Sequence, residues 1–297
     1  MVLCPYLFYC DVVAFGGTLQ GVKTMISWEV FKTVIQNHTV TEGGISFDAR
    51  YVNPEHLEGI KLQNELATMS QQNIKHYGIL NMVTDPRNLV AYVSKAKLLI
   101  DKFKDLQGHD PNRKAMIAFG VLDYSGPDVW DLYSSQFRVT VERSNADTVI
   151  ALSSTGSPPG QGKCVSVPPA LFDTEKLADE FKGRSRPFPN LKRHATLVAA
   201  DARYSRSNVK LGLSFEMGTL VYVMEKEQQL EHVIYAKCRQ GYVTNADVVL
   251  NDLNRTGNLR SGMSWLLHNA HLGDFGGSCM QSPFDRVQWI KDRFGIR

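Results

Sequence analysis

Short apolar runs alternate with longer helical patterns along most of the chain. Seven runs have the length of a buried strand, at positions 7–15, 22–28, 79–83, 115–122, 147–153, 209–215 and 261–267. Most are followed by a helical pattern, and this order predicts βαβ units with a parallel sheet. A barrel and a doubly wound sheet both satisfy that pattern. The number of repeats favours one (β/α) barrel over 1–297 rather than two small domains.

The helical patterns on either side of the run at 79–83 have clear boundary signals. The earlier one follows a Gly-rich break and opens at Pro54. Its apolar positions fall roughly on one helical face, at Leu57, Ile60, Leu62, Leu66 and Met69. The later one opens at Asp85 and Pro86 and ends at Gly108. The run at 79–83 is therefore predicted to be a strand between two amphipathic helices.

The composition is that of an ordinary globular protein. Of the 297 residues, 43% are hydrophobic and 21% are charged, which excludes a disordered chain and a disulfide-dense mini-protein. The net charge of +3 is spread along the chain, so charge does not predict nucleic-acid binding. The apolar opening is broken by Pro5 and Asp11 and has no basic segment before it. Neither a membrane span nor a signal peptide is predicted.

Metal and cofactor sites are not predicted. The cysteines are Cys4, Cys10, Cys164, Cys238 and Cys279. They form no C-x-x-C pair and have no histidine at zinc-ligand spacing. The segment GSPPGQGK at 156–163 is one residue too long for a phosphate loop, and a cysteine follows where Ser or Thr is needed. Asn37 and Asn254 fit the glycosylation sequon, which matters only if the chain is exported.

Five segments occur in the order and spacing of strands in a known barrel family. They are CPYLFYCDVVAF (4–15), VKTMISW (22–28), the stretch 53–86 from NPEHL to MVTDP, RSNVKLGLSFEMG (206–218) and LRSGMSWLLHNAHLGDFGGSC (259–279). In that order they resemble the second, third, fourth, seventh and eighth strands of the family 18 glycoside hydrolases, the chitinases and chitinase-like lectins. The resemblance covers nearly the whole chain and implies a TIM (β/α)8-type barrel.

The resemblance places the family's catalytic acids at positions that carry no acid here. In the family, a Glu that ends the fourth strand protonates the glycosidic oxygen, and an Asp orients the substrate's N-acetyl group, which supplies the nucleophile. The aligned positions are Tyr77, Leu80, Met82 and Thr84, and the last three are expected on the face that points into the barrel. Without a titratable group at the scissile bond, general acid catalysis cannot operate. The resemblance therefore implies a catalytically inactive chitinase-like protein that acts through carbohydrate binding or signalling.

Two other functions stay open at the level of sequence. Asp85 and Asp123 stand near predicted strand ends, where barrel enzymes carry out their chemistry, so a diverged glycoside hydrolase is one alternative. Asp85 is explained more simply as a helix N-cap. The other alternative is an interaction protein with no sugar ligand.

Two departures from the family bear on architecture. The family's first strand precedes the segment matched at 4–15, and we expect it to be missing here, which would expose strand edges and promote self-association. Between the seventh and eighth strands only 216–260 are available for the family's α+β insertion. We therefore expect a reduced insertion and a shallow groove.

The resemblance also assigns binding residues and a location. Trp265 aligns with the eighth-strand Trp on which the family stacks its central sugar. The further substrate-binding candidates are Trp28, Asp85 and Asp123. Cys238 and Cys279 would correspond to a disulfide near the C-terminus of related secreted proteins. The expected partner is a chito-oligosaccharide or another glycan, or a protein receptor, and the expected location is extracellular.

Overall fold

The structure, a computed structural model, describes residues 5–22, 25–122, 124, 126–153, 191–204, 209–216 and 264–268. Its strands are β1 (Tyr6–Phe15), β2 (Thr18–Gly21), β3 (Glu42–Phe47), β4 (Ile74–Thr84), β5 (Ala115–Val121), β6 (Thr148–Ala151), β7 (Lys210–Glu216) and β8 (Ser264–His268). Its helices are α1 (Met25–Gln36), α2 (Ile60–Gln71), α3 (Leu89–Leu106), α4 (Val129–Arg143) and α5 (Leu191–Asp201). Strands and helices alternate along the chain, which confirms the predicted α/β class.

One sheet contains all the described strands, in the order β2-β1-β3-β4-β5-β6-β7-β8. Seven of them run parallel, and β2 pairs antiparallel with the end of β1 as a hairpin. The parallel strands follow one another across the sheet in chain order, without a reversal. Their C-terminal ends lie at one edge of the sheet, which we call the carboxyl edge. Strand β4 therefore delivers its last residues to the middle of that edge.

The two faces of the sheet are buried by different groups. All five helices contribute to one large apolar cluster with one face of the strands, which we call the helix face. Strand β5 shows the alternation, since Ile117 and Phe119 belong to that cluster whereas Met116 and Ala118 belong to a smaller cluster on the second face. The smaller cluster joins β1, β4, β5 and the end of β6, and no residue of a described helix belongs to it.

Helix α3 shows how sequence periodicity builds the helix face. Its buried residues recur at intervals of three and four, at Leu89, Val93, Ala96, Leu99, Ile100 and Phe103. Before it, the Asp85 side chain accepts a hydrogen bond from the Arg87 backbone N–H. After it, Gly108 adopts a φ of 62°. The Phe103 ring packs on the Phe47 ring of β3 with centroids 4.8 Å apart. The helix predicted between Asp85 and Gly108 is confirmed.

One of the seven predicted strands was wrong. From Met25 onward the run at 22–28 is helix α1, because Trp28, Phe31 and Ile35 stand at helical spacing and are buried against the sheet. The second parallel position, between β1 and β4, belongs instead to β3, which starts at the Gly-rich break. The other six predicted strands correspond to β1 and to β4 through β8.

Two glycines allow β3 to pack closely between its neighbours. A Cβ on Gly43 would lie 2.8 Å from the carbonyl oxygen of Asn73 and 2.7 Å from Cγ1 of Ile35. A Cβ on Gly44 would overlap the Phe8 ring. Close approach of the backbone therefore explains why this interior strand contains glycine, a residue that normally weakens strands.

Several expectations fall outside the described residues. They are the reduced insertion at 216–260, apart from Glu216 at the end of β7, and the disulfide between Cys238 and Cys279. Helix α5 is an addition that the periodicity did not predict. Within the described ranges, no helix combines the length and apolar character needed to cross a bilayer.

Replacement of Gly43 by alanine should destabilise the protein because the new methyl group meets the fixed Asn73 carbonyl. We expect Gly43→Ala to lower the free energy of unfolding by about 1–3 kcal/mol in urea titrations. Gly59→Ala is the matched control, since Gly59 has an extended backbone and a Cβ there meets nothing within 4 Å. The control should lose less than about 1 kcal/mol, because Gly59 is the N-cap of α2 and alanine caps a helix less well than glycine. Equal stability of the two variants would contradict the packing described for β3.

Candidate functional site

Polar side chains gather at the carboxyl edge where β1, β3 and β4 end. The group consists of Asp11, Ser46 and Asn81, with Asp48 and Arg50 in the loop after β3. Parallel α/β sheets carry their ligand sites at this edge. We therefore treat these five residues, called the edge cluster, as the candidate functional site.

Two β-bulges bring the edge cluster together. In the pairing of β1 with β3, the register shifts between Cys10 and Val12, so that Asp11 is an extra residue. In the pairing of β4 with β5, the register shifts between Ile79 and Met82. Strands β1 and β4 lie on opposite sides of β3. A bulge re-aims a side chain at the cost of regular pairing, and here two bulges direct polar groups to the same place.

Ser46 links the two bulged strands. Its Oγ donates to Oδ1 of Asp11 at 2.7 Å and accepts a hydrogen bond from the backbone N–H of Leu80 at 2.9 Å. On the other side of the carboxylate, Nδ2 of Asn81 donates to Oδ2 of Asp11 at 3.1 Å. Exposure rises along this network from 0% at Ser46 to 7% at Asp11, and Asn81 is exposed to solvent. The network thus leads from the interior to an accessible amide.

The environment of Asp11 disfavours its charge. Burial raises the pKa of Asp11, while the hydrogen bonds from Ser46 and Asn81 act in the opposite direction. Two charged groups also face it, and of these Asp48 raises the pKa and Arg50 lowers it. The result is a carboxyl group with a raised pKa at the carboxyl edge.

Asp48 and Arg50 form a fixed ion pair beside this carboxyl group. Asp48 accepts hydrogen bonds from Nε of Arg50 at 2.9 Å and from Nη2 at 2.6 Å. The Asp48 side chain is buried whereas that of Arg50 is 58% exposed. The Arg50 guanidinium lies 5.5 Å from the ring centroid of Tyr51, which is also exposed. Arg50 and Tyr51 therefore present a cation and an aromatic ring to solvent.

The four positions aligned with the family's acids all lie on β4, as predicted, but they do not share one face. Leu80 belongs to the cluster on the second face, whereas Tyr77 and Met82 belong to the helix-face cluster. Thr84 pairs in register with Val121, which is also a helix-face residue. The expectation that Leu80, Met82 and Thr84 point the same way was therefore wrong. The physical reason is the bulge, because one extra residue reverses the alternation of the side chains that follow.

Asp85 is a capping residue. Its carboxylate accepts from the backbone N–H, Nε and Nη2 of Arg87, each at 2.9 Å. The Arg87 hydrogen bonds lower the pKa of Asp85 to about 2. A group that is ionised over the whole neutral range cannot serve as a general acid. The geometry therefore favours the N-cap explanation.

The remaining aromatic and acidic candidates fall into two groups. Trp28 is 3% exposed and packs between Tyr9 and Phe31, so its ring presents no open face to a ligand. Trp265 lies on β8 in register with Leu213, and only its backbone is described. Asp123 lies outside the described residues.

The sequence carried a signal for the residues that were missed. Asp11 interrupts the apolar run at 7–15, and Asn81 interrupts the run at 79–83. A polar residue inside a strand pattern can mark a bulge or a site. The pairing of Asp11 with Asn81 was not predictable, because it depends on two register shifts in strands separated by β3.

A second polar region lies at the opposite edge of the sheet, where the parallel strands begin, and its side chains stabilise the fold. A hollow of about 550 Å³ there is lined in part by Tyr6, Glu42, Lys75 and Lys114. His76 Nδ1 accepts the Lys114 backbone N–H at 3.0 Å, so Nε2 carries the proton and donates to Glu42 at 2.9 Å. Burial lowers the pKa of His76, which favours this neutral tautomer. These bonds tie β3 and β4 to the residue that precedes β5, so this region holds the strand starts together.

No group of three or more His, Cys, Asp or Glu side chains is placed to bind a metal ion within the described ranges. No protein-family model and no curated protein matches the chain. The functional argument therefore depends on the edge cluster itself.

Ser46→Ala should raise the pKa of Asp11 further, because it removes a donor that stabilises the carboxylate. Since the pKa of Asp11 in the folded state lies above its unfolded value, this group favours folding at low pH, and that contribution is lost as pH rises through the raised pKa. The variant should therefore lose about 1–3 kcal/mol of stability at neutral pH, and less once Asp11 is protonated. Carboxyl-carbon NMR titration measures the pKa of Asp11, and urea unfolding at neutral pH and at a pH where Asp11 is protonated measures the stability. Ser70→Ala, on α2, is the control, and an unchanged Asp11 pKa in Ser46→Ala would contradict the network.

Proposed function

We propose that this chain is a catalytically inactive chitinase-like protein that binds a carbohydrate at the carboxyl edge of its sheet. The proposal includes a TIM (β/α)8-type barrel. Three features support the barrel: the strands follow chain order, the described helices lie on one face, and the second face has its own apolar cluster. A doubly wound sheet would reverse its strand order and bury both faces with helices.

The observation that carries the proposal is that neighbouring groups hold the carboxylates described at the carboxyl edge. The end of β4 offers Leu80, Met82 and Thr84 where the family has acids. Asp11, whose raised pKa would suit an acid, is 7% exposed, and both of its oxygens accept hydrogen bonds from neighbouring side chains. Asp48 is held by Arg50, and Asp85 is ionised and held by Arg87. None of these carboxyl groups is free to transfer a proton to a ligand.

The chemistry exposed at the edge suits a neutral polar ligand. An amide at Asn81 and a guanidinium at Arg50 offer hydrogen bonds, and Tyr51 offers an aromatic surface. Sugar sites combine such groups with apolar stacking surfaces. Trp265 on β8 is the proposed stacking residue, by its alignment with the family. A diverged glycosidase is disfavoured by the N-cap role of Asp85.

A chito-oligosaccharide or another glycan is thus the proposed partner. An extracellular location with glycosylation follows from the same resemblance, and Asn37 at the end of α1 is exposed as an acceptor would need to be. A protein receptor is the partner expected if the protein acts in signalling.

Binding without turnover is the first test. Isothermal titration of the full chain with chitotetraose should show saturable binding, and a fluorogenic chitobioside should not be hydrolysed. Hydrolysis above the buffer background would show a working acid and contradict the proposal. Absence of binding to chitotetraose and to other glycans would favour an interaction protein with no sugar ligand.

Thr84→Glu should not restore hydrolysis. The substitution puts a carboxyl group at the family's acid position, and a well-placed general acid contributes roughly 10²–10⁴-fold. Thr84 lies on the helix face, however, so the new group would point towards the helices and away from a ligand bound beside Asn81 at the carboxyl edge. Turnover of the chitobioside by this variant, measured against wild type, would show that β4 has the family's regular alternation.

A further inference from the structure

Asn81 is held in one of its two amide orientations. A carboxylate can only accept hydrogen bonds, so the Asn81 group that faces Asp11 must be the NH2 group. The structure shows this contact at 3.1 Å between Nδ2 of Asn81 and Oδ2 of Asp11. The carbonyl oxygen Oδ1 of Asn81 is consequently turned away from Asp11, on a side chain that is exposed.

We infer that Asp11 is the positioning residue of the carbohydrate site, and that it holds Asn81 so that Oδ1 accepts a hydrogen bond from a hydroxyl or N–H group of the sugar. This inference rests on the function proposed above. Asp11 itself is too deeply placed to touch a ligand, and Ser46 holds its other oxygen. Its effect reaches the ligand only through the amide.

The contact between Asp11 and Asn81 depends on two departures from regular strand pairing. Two interior strands each give up regular pairing at the same level of the sheet, and the bulges bring Asp11 and Asn81 into contact across β3. An exposed amide at a strand end could hydrogen-bond to water without this partner, so folding does not require the contact. Orienting a ligand-binding group does require it.

Protonation of Asp11 would reverse the orientation. A protonated Oδ2 donates, so the Asn81 amide would turn its carbonyl oxygen inward and its NH2 group outward. The ligand's donor group would then face another donor. The charged groups that face Asp11 are Asp48 and Arg50, both from the loop after β3, while Ser46 and Asn81 are neutral. Affinity should therefore fall as pH drops through the pKa of Asp11, which burial has raised.

The test is the affinity of the full chain for chitotetraose by calorimetry, from about pH 8 to about pH 4. Wild type should lose affinity on acidification. Asn81→Leu should bind about three- to tenfold more weakly at the upper end, with no acid-dependent fall, because Asp11 no longer reaches the ligand. Asp11→Asn, which is nearly isosteric, should also give a flat profile. Asp105→Asn, on α3, is the matched carboxylate control and should behave as wild type. Unchanged affinity in Asn81→Leu, or an acid-dependent fall that persists in it, would overturn the inference.

A ligand-free measurement separates this inference from the proposed function. The side-chain amide NMR signal of Asn81 should titrate with the pKa of Asp11 in wild type and should not titrate in Asp11→Asn. A signal that does not respond to pH in wild type would overturn the positioning role, whatever the ligand. If wild type binds no chitotetraose while the amide titrates, the positioning role stands and the carbohydrate assignment fails.

Discussion

Interior strands of this sheet must bury side chains on two faces, and each face has a different partner. One face packs against all five described helices, and the other contributes to a small cluster of its own. Strict alternation along a strand satisfies both faces at once, as in β5. A polar side chain that points to neither buried face interrupts this alternation, and the strand bulges there. Strands β1 and β4 bulge in this way at the carboxyl edge.

The bulges have consequences beyond the residues that they expose. In β4, Met82 moves to the helix face, and Thr84 follows it. Alignment to a family motif alone assigns these positions to the ligand side, because it assumes regular alternation. A single extra residue is enough to reverse that assignment. In this chain these positions carry no acid, and the bulge turns Met82 and Thr84 towards the helix face.

The carboxylates at the edge illustrate why a raised pKa is not sufficient for catalysis. Burial gives Asp11 a pKa in the direction expected of an acid catalyst, yet the same burial and its two hydrogen bonds keep it away from any ligand. Asp85 is accessible, but Arg87 keeps it ionised. A catalytic acid needs access and a tuned pKa together, and in this site they occur on different residues. That separation supports the proposal that the site binds a ligand without turning it over.

The α/β class, the parallel sheet, and helices α2 and α3 were predictable from the sequence, because apolar periodicity and capping residues are local properties. The first turn of helix α1 and strand β3 were not predictable. Residues 25–28 belong to an apolar run that could form a helix or a strand, and Gly43 and Gly44 weaken the apolar pattern of β3. The edge cluster was not predictable from the sequence either. Residues 11, 46 and 81 meet only because a sheet places β1, β3 and β4 side by side and two register shifts turn their side chains together. Local periodicity determines which elements form, whereas register between distant strands, which only the tertiary structure decides, determines which polar groups share a site.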